Sequence, residues 1–157
     1  MFYPMKRKNQ ALSPEDCAAI LDAATSGVLA LQSPDGYPYA VPMSFAYREG
    51  RLYFHGGRSG HRSQCVDHCH KACFTVVDRD RVLPEEYTTD YRSVMAFGTI
   101  RKSADDAERR EAIRLIGRRY FPGDTAAHLE AIIDKEFLPM EIYVLDIEHM
   151  TGKAARI

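Results

Sequence analysis

Eight consecutive residues, His55 to Arg62 in the stretch YFHGGRSGHR, hold two histidines, two arginines and three glycines. An alternating aromatic run enters this stretch as a strand, and the residues that follow it change to a helical period. A strand handing over to a helix leaves free backbone N–H groups at the helix start, and glycines let a ligand approach the backbone closely. Such a place suits an anion. Arg58 or Arg62 adds a planar, bidentate guanidinium, which matches a phosphate better than a lysine does. The plainer alternative is a glycine-rich turn with solvated arginines. His55, whose ordinary pKa lies near neutrality, is a candidate acid or base, or else a half-buried, hydrogen-bonded strand residue.

A second cluster overlaps the first. His61, Cys65, Cys69 and Cys73 recur every four residues, with His68 and His70 beside them. Zinc takes such ligands tetrahedrally, but structural sites more often use shorter knuckles, and Cys73 already begins a strand. The competing reading makes the cysteines small apolar residues where a helix packs on a sheet. Arg109, Arg110, Arg114, Arg118 and Arg119 form a third group, interleaved with Asp105, Asp106, Glu108 and Glu111, which suggests a solvated helix face laced with ion pairs rather than a nucleic-acid surface.

The elements that must position these residues follow from pattern. Ser13, Pro14, Glu15 and Asp16 open a short helix that buries Cys17, Ile20, Leu21 and Ala24, with Gly27 as its stop. Residues 27–33 and 37–48 are extended runs around the turn Pro34-Asp35-Gly36, and residues 51–56 give a third. Pro38 and Pro42 each remove a ladder donor, so part of the second run belongs on a sheet edge or faces something other than a strand. Residues 73–79 and 92–104 are further strands, joined by a loop over 81–91, with Gly98 at a bulge or bend. Two amphipathic helices follow, one through Ala112, Ile113, Ile116 and Tyr120, the other through Leu129, Ile132, Ile133 and Phe137, and residues 140–150 form a last strand. Six strands in consecutive hairpins with few helices predict a mainly β fold, a closed or half-closed antiparallel barrel with helices outside it.

The whole chain sets the bounds. Its 157 residues, 45% hydrophobic and 27% charged, predict one domain over 1–157. A formal net charge of -1 gives no global attraction to nucleic acid or an anionic membrane. No apolar run is long enough to span a bilayer, and the N-terminal residues MFYPMKRKNQ lack the features of a signal peptide, so the expected location is the cytoplasm, where the four cysteines are reduced.

Four segments in series, YAVPMSFAY, LYFHGGRSGHR, YRSVMAFGTI and EHMTGKAAR, resemble those of the nitroimidazole resistance (Nim) proteins, a branch of the pyridoxamine 5'-phosphate oxidase-like split barrels. The likeness runs from about Lys6 to the C-terminus. It implies a six-stranded split barrel, a two-fold homodimer and FMN in a groove at the dimer interface. Carried over by position, it implies that His61 and Arg62 meet the flavin phosphate with Arg92 and Ser93 as neighbours. Val41, Pro42, Met43 and Ser44 would lie along the isoalloxazine ring, which also accounts for the prolines, and His55 would stand near the reactive face of the flavin. Arg62 departs from the lysine common in the family at that position. Thr151, Gly152 and Lys153 match without an evident role.

The activity implied is an FMN-dependent reduction of a small acceptor such as a nitroaromatic compound. No Gly-x-Gly-x-x-Gly follows a strand to mark a nicotinamide site, so the electron donor stays open. Two other classes stand beside this one: a flavin- or haem-binding split barrel without turnover, and a zinc-stabilised domain built on His61, Cys65, Cys69 and Cys73.

Overall fold

The computed structural model describes residues 2–155. Strands β1 (Ser26–Gln32), β2 (Pro38–Ser44), β3 (Ala46–Arg48), β4 (Arg51–Gly57), β5 (Lys71–Leu83), β6 (Thr88–Lys102) and β7 (Met140–Ala154) alternate with helices α1 (Pro14–Ala23), α2 (His61–His68), α3 (Asp106–Tyr120) and α4 (Ala126–Glu136). All strand pairs are antiparallel, in one sheet of order β2-β1-β5-β6-β7-β4-β3. Its terminal strands, β2 and β3, are separated in sequence by Phe45 alone, so the sheet has to roll round until its two ends meet. The result is the mainly β barrel with peripheral helices that the strand pattern predicts. No described helix is long and apolar enough to cross a membrane.

The count is seven strands rather than six because the run 37–48 breaks at Phe45. Its ring is fully buried, 4.7 Å from that of Phe74. Its N–H donates to the Tyr120 hydroxyl (2.9 Å) instead of a ladder partner, and the same hydroxyl lies 2.9 Å from the Phe45 carbonyl. A side chain from α3 thus takes over the backbone groups that would have continued the strand. The expected loop over 81–91 is instead the tip of a long β5–β6 hairpin, paired as far as Leu83 opposite Thr88 and turned by a short 3-10 segment at Pro84–Glu86. Pro38 and Pro42 lie on β2, an edge of the sheet, where a missing donor is tolerated.

Ser13 caps α1 through the Asp16 N–H at 3.0 Å, as its position predicts. Gly27, however, does not stop that helix. The helix ends at Ala23 and Gly27 sits in β1, where a Cβ would run into the Phe74 ring. Gly98 does mark a bulge, for the β6–β7 register shifts between Phe97 and Gly98.

Two apolar layers share β7. Tyr143 and Leu145 point into the barrel with Leu29, Phe54, Phe74 and Val94, while Ile142 and Val144 point outward to Ala112, Ile133 and Phe137 of the α3–α4 layer. A strand buried on both faces reads as the continuous apolar run Ile142–Leu145 rather than as an alternation. Gly152 answers part of the Thr151-Gly152-Lys153 question. A Cβ there would collide with Cys17 and Leu12, so its absence lets α1 and the segment before it dock on β7, with the Leu12 N–H donating to the Gly152 carbonyl at 3.0 Å.

Candidate flavin and acceptor site

The helix α2 begins at Gly60, whose φ of 109° is open to glycine and strained for other residues. No side chain caps the helix start, so the first N–H groups of α2, at His61 to Ser63, have no partner from a capping residue. The Ser63 hydroxyl turns back to the Arg58 carbonyl at 3.0 Å, folding the GGRSG loop onto the helix.

Arg62, half-buried, turns from this helix toward the inner side of the barrel, against Met43 and Tyr143. Its Nη1 lies 3.0 Å from the Met43 sulfur, its guanidinium carbon is 4.9 Å from the centre of the Tyr143 ring, and its other terminal nitrogen fills the space where a Cβ on residue 56 would stand. Gly56 is therefore a glycine because Arg62 occupies its side-chain position. The Arg62 Nε is buried and without a hydrogen-bond partner. A guanidinium with five donors, whose recorded acceptor is one thioether, has unused capacity for an anion. Met43 is buried and Val41 packs with it against the barrel core, whereas Pro42 and Ser44 face out. The structure thus brings Met43, Gly56 and Arg62 together.

His61 points elsewhere. Its Nε2 is 3.1 Å from the Ser33 hydroxyl and its ring meets that of Tyr39 edge-on at 4.7 Å. Cys65 is buried in the barrel core and Cys73 is half-buried in β5, and burial pushes both thiols above their ordinary pKa. Among the described residues no three histidine, cysteine or acidic side chains come close enough to hold a metal ion. The four-residue repeat of the sequence fails as a zinc site because α2 ends at His68: Cys65 is buried in the core, Cys69 is already extended, and Cys73 sits in β5 beside the Thr75 hydroxyl.

His55 pairs with Ile142 across β4 and β7 and shares its outward direction, so it faces α3 and α4 while Arg62 lies on the barrel side of the same strand. His55 is exposed, yet partial desolvation by the protein around it and, secondarily, the positive charge of Arg62 push its pKa below the ordinary imidazole value. The neutral imidazole is the prevailing form near pH 7.

Arg92 and Ser93 stand apart from this group within the chain. Arg92 donates to Asp78 at 2.5 Å. Ser93 pairs with Val77 and faces away from the barrel, opposite in direction to buried Val94, whereas the Arg62 guanidinium is on the barrel side with Met43 and Tyr143. Around Ser93, on the outer face of the sheet, Val28, Val77 and Met95 are all substantially exposed.

The arginine series of α3 divides. Arg110 and Arg114 pair with Asp134 and Glu130 of α4, across the helix pair rather than at i,i+4 along α3. Arg109 departs from the expected solvated face: it is 5% exposed and donates to the carbonyls of Phe137 (3.0 Å) and Met140 (2.7 Å), closing the turn between α4 and β7. Sequence spacing also gives no role to Asp124 and His128, which pair at 2.8 Å beside the start of α4. Their i,i+4 separation was the available signal.

With the fold and these contacts established, residues 13–154 match the model of the pyridoxamine 5'-phosphate oxidase family, and the chain belongs to that family. Among solved structures, it is similar to a protein of Bacteroides thetaiotaomicron described provisionally as a 5-nitroimidazole antibiotic resistance protein, at 23% identity and a TM-score of 0.77 over 91% of this chain and 85% of that one. It is likewise similar to a conserved hypothetical protein of Mycobacterium tuberculosis (15% identity, TM-score 0.83, 96% and 90% covered). A third likeness is to an FAD- and haem-binding protein of Mycobacterium smegmatis (24% identity, TM-score 0.73, 96% and 75% covered). No curated protein matches the chain. At these identities the likenesses establish the shared fold.

Proposed function

We propose that this chain binds FMN between two copies of itself and uses it to reduce a small organic acceptor, nitroaromatic compounds being the type suggested by the Nim-like segments. The observation that carries the reading is Arg62, on a helix whose start no side chain caps, with its guanidinium turned against Met43 and Tyr143 and a buried, unpartnered Nε. These residues fit a phosphate group. Arg62 and the first N–H groups of α2 would hold it, Val41 to Ser44 would line the ring system, and Arg92 and Ser93 would come from the second copy. When bound, the flavin supplies the electrons for the reduction. His55, neutral near pH 7, would donate a hydrogen bond from its ring N–H to the acceptor, and the protons taken up in the reduction would come from solvent.

The absorption spectrum of the purified protein with added FMN, followed anaerobically with reduced nicotinamide cofactor and then a nitroaromatic acceptor, tests this directly. Flavin binding, bleaching and reoxidation by the acceptor are the expected sequence. Arg62→Ala should weaken FMN retention by about ten- to a hundredfold, since a charge-assisted contact contributes about 1.5–3 kcal/mol. His55→Ala should retain flavin and lose turnover. A Soret band in place of flavin absorption, or equal FMN affinity in wild type and Arg62→Ala, would overturn the assignment.

A further inference from the structure

On the outer side of β4, α3 and α4 leave a gap over the sheet. A cavity of about 540 Å³ lies there, with Ile113 and Ile116 on one wall, Leu129 and Ile132 on the other, Phe121 at its mouth and His55 at its base. That size is typical of a site for a small organic molecule. Ile132 and Phe121 are 45% and 67% exposed, although Ile132 lies in the apolar pattern of α4, so large apolar surface faces open space rather than a packed neighbour.

Charge narrows what fits. Neither lysine nor arginine lines the cavity, whereas Asp124 and Glu136 do. His128, the other ionisable group at the rim, is tied through Nδ1 to Asp124 at 2.8 Å, and Glu136 has Lys135 at 3.7 Å outside. An anionic group entering here would lose hydration and meet two carboxylates, with no lysine or arginine in the lining to pair with it.

We propose that this cavity binds one small, mainly apolar molecule per chain, neutral or positively charged, with its polar end against His55, and that it discriminates against phosphate- or sulfonate-bearing molecules. Pyridoxamine 5'-phosphate, from which the family takes its name, carries an anionic group for which these walls offer no partner. This binding does not rest on the flavin reading above, because Arg62 lies on the other face of β4.

The test uses the full chain, with its flavin content recorded, titrated with Nile red (neutral), acridine orange (cationic) and 8-anilinonaphthalene-1-sulfonate (anionic). Nile red should saturate at one per chain and be displaced by acridine orange, and the sulfonate should bind at least about tenfold more weakly. Ile132→Trp, which fills the cavity from an exposed helix position, should weaken Nile red about tenfold or more. Leu138→Trp, 77% exposed and outside the lining, should leave binding unchanged. Glu136→Lys should tighten the sulfonate. Unaltered Nile red binding in Ile132→Trp, absence of saturable binding, or a sulfonate that binds as tightly as the neutral dye would each overturn the proposal. Dye binding by a chain that takes up no flavin would sustain the cavity while removing the flavin reading, and flavin uptake without dye binding would do the reverse.

Discussion

Arg62 and His55 lie on opposite faces of β4, and Gly56 carries no side chain to stand between them. The charge on one therefore bears on the proton affinity of the other. Burial lowers the His55 pKa first and the guanidinium lowers it further. Replacing Arg62 by methionine removes the second effect and keeps most of the volume, so the His55 pKa should rise but stay below its ordinary 6.5. Titration of the imidazole by NMR in wild type and Arg62→Met checks this, and an unchanged or lowered value would contradict the electrostatic link. The glycines, histidines and arginines of this stretch were legible as an anion-binding candidate from type and spacing. That Arg62 would turn inward onto Met43 and Tyr143 was not, because both partners are distant in sequence and the rotamer is set by the barrel around it.

Local signals named the elements well wherever they agreed with packing: the Ser13 cap, the edge prolines of β2 and the bulge at Gly98 are backbone requirements that a short window contains. They failed where a remote group intervened, as the Tyr120 hydroxyl does at Phe45. Arg109 is the same lesson in reverse. Spacing put it on a charged face with its neighbours, yet α4 folds back over α3 and leaves the carbonyls of Phe137 and Met140 buried in need of donors. Arg109→Met would keep the apolar packing against the Phe137 ring, 4.2 Å from the guanidinium carbon, but leave the Phe137 carbonyl without this donor, the Met140 carbonyl with only the longer Arg58 contact at 3.4 Å, and Asp106 without its ion pair. A loss of about 2–4 kcal/mol is expected, measurable by urea denaturation. Because α4 is one wall of the cavity, the variant should also lose Nile red affinity. A loss below about 0.5 kcal/mol would mean that the carbonyls find water instead.

At the scale of the whole molecule the sequence predicted the layered barrel and, through the Nim-like segments, the residues expected around a flavin. It gave no account of their distribution, because register across a seven-stranded sheet depends on pairings no window contains. Ser93 faces outward from the sheet while Arg62 lies on the barrel side, and around Ser93 the outer sheet face exposes Val28, Val77 and Met95. Apolar surface beside a displaced part of the candidate site is what a two-fold pairing would use, each copy bringing Arg92 and Ser93 to the Arg62 of the other. The particle should then sediment at twice 17.8 kDa. Arg62→Ala and Arg92→Ala should each lose flavin as homodimers. Co-expressed with different tags and purified through both, the mixed dimer has one site carrying both lesions and one carrying neither, and should recover about half of the wild-type flavin content. A mixed dimer as empty as its parents would mean that each chain builds its site alone, and a monomer that retains flavin would remove the second copy from the site altogether.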